Sequence, residues 1–179
     1  LLDLNQTLAG AEAKGLAVTG PGLPSIVKNR APFVTKDCLA MSNLLDGGLI
    51  VIGVDEAAPG TFVPTGTTDE HYDSFRNDDV ATEVNLFADP PITVTVHKGL
   101  VDGRRYVALE VASFSELPTI CKRNGGPAGE LREGAIYVRP AGKPETRQAR
   151  FAQEVRDLVD RAIDLRAAAL ARRGWVRRE

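Results

Sequence analysis

Cysteine is scarce in this chain: 179 residues contain two, Cys38 and Cys121. Neither has a second Cys or a His at metal-ligand spacing, which argues against a disulfide framework and a structural zinc and fits thiols kept reduced. Long apolar runs are missing as well. The longest, Leu49 to Val54, falls far short of the roughly 20 residues that span a bilayer, and no charged-then-apolar leader opens the sequence. The expectation is a cytoplasmic protein without membrane contact. Neither sign of charge dominates, since 22 Lys and Arg stand against 24 Asp and Glu, so any basic patch has to be local. The Gly-x-x-x-x-Gly-Lys-Ser and Gly-x-Gly-x-x-Gly phosphate loops are absent, which sets ATP hydrolysis aside. So is the Gly-x-Ser-x-Gly elbow, leaving Ser25, Ser42 and Ser74 without a hydrolase triad. His71 and His97 stand isolated, with no partner at nucleophile, base or metal spacing.

What is present suits one α+β domain over residues 1–179, with 43% hydrophobic residues to close a single core. The expected architecture is a single mixed β-sheet with flanking helices and a long C-terminal helix. Leu1, Leu4 and Leu8 sit at helical spacing and predict a short opening helix, and the Gly- and Pro-rich stretch Gly15 to Pro24 reads as a surface loop. Pro32 opens a helix carrying Val34, Leu39, Ala40 and Leu44, its missing N–H being harmless in a first turn. Asp46-Gly47-Gly48 is a turn, and Leu49 to Val54 is a β-branched run of the kind buried on both faces, placed at the centre of the sheet. Asp55 and Glu56 follow at its C-terminal end, where open α/β sheets place their chemistry.

Thr61 to Asn77 shows no clean period, and Asp78 to Ala88 reads as a helix stopped by Pro90-Pro91. Ile92 to Val96 and Tyr106 to Val111 predict an antiparallel pair around Asp102-Gly103, joined by a loop longer than a two-residue hairpin. Leu117 to Lys122 and Gly134 to Arg139 read as further strands. The last helix is placed at about Arg147 to Arg173, with Phe151, Val155, Leu158, Val159, Ala162 and Leu165 on one apolar stripe. Residues 161–179 form a basic helical tail: Arg161, Arg166, Arg172, Arg173, Arg177 and Arg178 face only Asp164 and Glu179.

Three blocks carry a resemblance. Asn43-Leu44-Leu45-Asp46-Gly47-Gly48 leading into Leu49 to Glu56 is the first. Glu12-Ala13-Lys14-Gly15 is the second, and Tyr137-Val138-Arg139 followed by Lys143-Pro144-Glu145-Thr146 is the third. Taken in chain order, the Glu12 block, then the Asn43 block, then the Tyr137 block, they resemble the Schlafen-type AlbA-like domain family, whose members are nucleic-acid-binding or nuclease domains. The resemblance implies Glu12 and Asp55 as ligands of a catalytic Mg²⁺ or Mn²⁺, with Lys14 polarising water or phosphate. Arg139 and Lys143, after a strand, and Arg172 and Arg173, in the locally basic tail, are the candidate contacts to a DNA or RNA backbone, with ion pairing to local carboxylates the equal alternative for Arg139 and Lys143.

One departure bears on catalysis. Nuclease members present two glutamates near the opening motif; here Thr7 stands where the first is expected, and Ala13 replaces the motif's aromatic. A second alignment, with Ile26-Val27-Lys28 at the opening motif, removes the glutamate altogether. Metal-assisted phosphodiester cleavage needs several carboxylates, so the missing ligand favours a binding domain or a degenerate nuclease. The alternative class is a non-catalytic module joining a protein partner or a homo-oligomer through the apolar stripe of the last helix or Trp175. The bland readings remain beside these: Glu12 and Lys14 as a solvated pair, Asp55 as a turn residue, and Gly47-Gly48 as geometry alone.

Overall fold

The computed structural model describes residues 17–19, 31–58, 61–126, 129–140 and 145–175. The opening helix, Glu12, Lys14, Lys143, Arg177 and Arg178 lie outside them.

Strand β1 (Ala17–Thr19) precedes helix α1 (Ala31–Ser42), which leads to strand β2 (Gly48–Ile52). β1 and β2 are parallel, with Ala17 opposite Ile50 and Thr19 opposite Ile52, so α1 is carried on the crossover between them. Part of the expected Gly15 to Pro24 loop is thus a strand. Pro32 sits in the first turn of α1, as the sequence suggested. Val34, Cys38 and Met41, with Leu39 beside them, bury that helix face.

β2 ends at Gly53, whose φ of 108° is open to glycine alone among ordinary residues. A Cβ there would stand 2.9 Å from the Tyr106 ring. The carbonyl of Gly53 accepts the N–H groups of Thr65 (2.9 Å) and Gly66 (2.8 Å), and the chain leaves the sheet as a separate hairpin of β3 (Val54–Ala58) and β4 (Thr61–Pro64). The single apolar run of the sequence is therefore two strands, and Asp55 lies within the second, opposite Val63, and not in a turn.

Two helices follow, α2 (Asp69–Ser74) and α3 (Asn77–Asn85), and then the short strand β5 (Ala88–Asp89). α2 is capped by Thr68, whose side chain accepts the His71 N–H. α3 buries Val80 and Val84. Strands β6 (Val94–Val101) and β7 (Arg104–Val111) pair antiparallel, joined by only Asp102 and Gly103, both at positive φ (49° and 73°). This corrects the expected long loop. Asp-Gly at positive φ is the turn whose twist matches a hairpin, and the strands continue through Lys98-Gly99 and Arg104-Arg105, polar residues that hide them from a pattern search.

The principal sheet has the order β1-β2-β7-β6, so β2 lies inside it, with Ile50 and Ile52 buried. One face receives α1 and α3: Leu39, Met41, Val80 and Val84 pack against Ile50, Ile52, Val107, Leu109 and Val111. On the other face Val51, Val54 and Tyr106 cluster. Three two-stranded ladders flank this sheet. β5 pairs with β8 (Ile120–Cys121), β3 with β4, and β9 (Tyr137–Val138) with β10 (Arg147–Gln148). The last of these takes Arg147-Gln148 out of the helix assigned to them, so helix α4 runs Ala152–Arg172.

α4 meets the body through Leu158, Ala162 and Leu165 against Phe114, Ile136 and Val138. The rest of its apolar stripe stays out: Phe151, Val155 and Val159 are exposed. Among the described residues no helix is long and apolar enough to cross a membrane.

Candidate nucleic-acid interface

The turn before β2 is shaped by backbone proximity. Gly47 has φ 71°, and a Cβ there would stand 2.1 Å from the Val111 carbonyl oxygen. That satisfies the geometric reading of Gly47-Gly48 without any phosphate. Just upstream, the buried Asn43 side chain binds three backbone groups. Its Nδ2 donates to the carbonyls of Thr119 and Tyr137 (3.0 Å each) and its Oδ1 accepts the Thr119 N–H (2.8 Å). The asparagine of the signature is a structural clamp joining the end of α1 to β9 and to the segment before β8.

Asp55, expected as a metal ligand, and Arg139, expected as a phosphate contact, differ in setting. Asp55 is partly exposed on the β3–β4 hairpin. Among the described residues no three His, Cys, Asp or Glu side chains gather to hold a metal ion. Arg139 is buried, its side chain 2% exposed, with Nη1 3.1 Å from Thr146 Oγ1 and 3.9 Å from Asp37. Burial lowers the Arg139 pKa and raises that of Asp37, the neighbouring opposite charges opposing both shifts. The guanidinium faces a helix carboxylate, the kind of ion pair that stood beside the phosphate contact as an equal reading of Arg139, though Asp37 lies far from it in the chain.

The basic tail also divides. Arg161 turns inward, donating to the carbonyls of Asn43 (3.3 Å), Leu44 (2.8 Å) and Phe114 (3.3 Å) and to the Ser113 hydroxyl, with its guanidinium carbon 3.9 Å from the Phe114 ring centroid. It pins α4 to the body. Arg166, Arg172 and Arg173 are exposed. Beyond Arg173 the chain closes the helix with paired bonds, Gly174 N–H to Ala171 O at 3.0 Å and Trp175 N–H to Leu170 O at 3.1 Å, the Schellman pattern. This places Trp175, 78% exposed, two residues beyond Arg173 in the chain, after the exposed Arg172 and Arg173.

A pairing that sequence spacing missed is His97 Nε2 to Glu110 Oε2 at 2.7 Å across the β6–β7 hairpin. Only the hairpin register, centred on Asp102-Gly103, would have brought them together.

A mixed sheet with a parallel helical crossover and a long last helix defines the class as α+β. Residues 23–150 match the Schlafen AlbA_2 family, and the chain belongs to that family. The matched span holds Asn43, Gly47, Gly48, Asp55 and Arg139 and begins after Glu12 and Lys14. Among solved structures, the DIP2311 protein from Corynebacterium diphtheriae superposes with a TM-score of 0.53 at 18% identity over 80% of this chain; the chain spans 23% of that protein. The N-terminal domain of a RecG-related protein from Nitrosomonas europaea gives a TM-score of 0.49 at 20% identity, covering 78% of this chain and 88% of that one. No curated protein matches the chain.

Proposed function

We propose that this Schlafen AlbA_2 domain binds the backbone of single-stranded nucleic acid without cutting it, using the end of α4 as its contact surface. The observation that carries this reading is Trp175, fixed by its backbone bond to Leu170 and exposed just after the exposed Arg172 and Arg173 in the chain. An exposed aromatic plane that follows exposed cations in the chain suits an unpaired base stacked on the ring with its phosphates met by arginine. A duplex keeps its bases stacked on one another and offers that ring little. Phosphate contacts of this kind carry no sequence information, so the binding is sequence-tolerant.

Cleavage is the weaker reading because Thr7 stands at the position expected for a glutamate ligand.

The test is tryptophan fluorescence, Trp175 being the sole tryptophan. Adding an oligonucleotide of DNA or RNA should quench it, and Trp175→Ala, which has no tryptophan and is read by the anisotropy of an end-labelled oligonucleotide, should bind at least about fivefold more weakly, since base–aromatic stacking is worth roughly 1–3 kcal/mol. The same strands incubated with Mn²⁺ should stay intact. Brisk cleavage abolished by Asp55→Asn would overturn the non-catalytic reading and restore Asp55 as a metal ligand.

A further inference from the structure

Helix α4 carries more apolar surface than the body of the protein covers. Leu158 and Ala162 are buried, but the row Phe151, Val155, Val159, Ile163, spaced four residues apart, faces solvent; Phe151 is 63% exposed, Val159 46% and Ile163 59%. Residues four apart lie on one ridge of a helix, and a continuous ridge of this kind is an unusual thing to leave in water.

The charges around the ridge identify what fits it. At about 100° per residue, Arg156 and Asp160 share the rim of the ridge that points away from the body, on either side of Val159 along the helix. A second copy of α4 laid antiparallel about a two-fold axis through Val159 keeps each rim on its own side and reverses its order. Arg156 of one copy then stands about 3 Å along the axis from Asp160 of the other, twice over, an offset the long arginine side chain spans. The same operation sets Val155 against Ile163 of the second copy. Arg166, which ends the apolar row, falls opposite Ala152, a side chain small enough to leave room for it. The surface is complementary to itself in both shape and sign, the property an isologous interface requires.

We infer that the exposed face of α4 is a homodimer interface, with two α4 helices packed antiparallel about Val159. Sedimentation velocity across the micromolar range tests it. The chain should sediment as a dimer at the upper concentrations, and Val159→Asp, which places two carboxylates together on the axis, should raise the dissociation constant roughly tenfold or more. Because Val159 is half exposed, that substitution should leave the fold intact by circular dichroism. Arg156→Asp alone should weaken the dimer, and Arg156→Asp combined with Asp160→Arg should restore it. Val159→Cys should yield an oxidised covalent dimer, while Asp164→Cys, on the outer side of the helix, should not; Cys38 and Cys121 are buried and contribute no background. A chain that stays monomeric throughout, a dimer indifferent to Val159→Asp, or a charge swap that fails to restore association would overturn the inference.

Discussion

Asn43 closes two carbonyls and one N–H that are buried together between α1 and β9. Removing its amide leaves those groups without replacement donors or acceptor, and a buried unsatisfied polar group costs about 1–3 kcal/mol. Asn43→Ala should therefore lower the unfolding free energy by about 3 kcal/mol, read from the urea midpoint at unchanged slope; an effect under about 0.5 kcal/mol would contradict the clamp. The sequence marked Asn43 as part of a signature but not what it holds, because Thr119 and Tyr137 are far away in the chain. Gly47 was legible for the opposite reason: paired glycines before a strand report a local backbone demand, and Val111 O supplies it. The sequence left Arg139 open between a phosphate contact and a carboxylate ion pair, and read Arg161 as part of a solvated helix end. An arginine in a run of charges reads as solvated, and only the fold shows Asp37 beside Arg139 and Phe114 under Arg161.

At the level of elements, periodicity found α1 and α3 because their buried residues recur at helical spacing. It found β2 because both faces of that strand are apolar. It joined β2 to β3, since nothing but Gly53 separates Leu49–Ile52 from Val54. It also extended α4 backward through Arg147. What stops that helix is chemical: Glu154 accepts Nη1 and Nη2 of Arg147 (3.1 and 2.5 Å) and the N–H groups of Arg150 (2.9 Å) and Phe151 (3.2 Å), fixing the first turn at Ala152. Arg147, first, and these N–H donors hold the Glu154 carboxyl at about 2, against an ordinary 4.5. A carboxylate depressed by folding stabilises the native state fully above its unfolded value and loses that contribution as pH falls toward the folded one. The start of α4 should accordingly loosen between about pH 4.5 and pH 2. Following the Glu154 side-chain carbon by NMR should show the low midpoint directly, and Glu154→Gln should flatten the acid limb of stability in that window. A Glu154 midpoint near 4.5 would contradict the arrangement.

For the molecule as a whole, the α+β class, the central place of β2 and an apolar stripe on α4 were readable from the chain, while which residues of that stripe the body covers was not. The body has room for only one side of this helix, and the remainder becomes a surface. If both the dimer and the binding surface hold, antiparallel α4 helices carry Arg172, Arg173 and Trp175 to opposite ends of the pair, roughly 40 Å apart at 1.5 Å per residue. One strand would then be met at two points. The central claim is the phosphate contact itself, and the measurement that bears on it most directly is the salt dependence of oligonucleotide binding. Each phosphate neutralised on a single strand contributes about −0.7 to the slope of log K against log salt. A shallow, sequence-independent negative slope that flattens when Arg172 and Arg173 are changed together to Gln is the result this account predicts. No binding at low salt, or an affinity indifferent to salt and to both arginines, would contradict it.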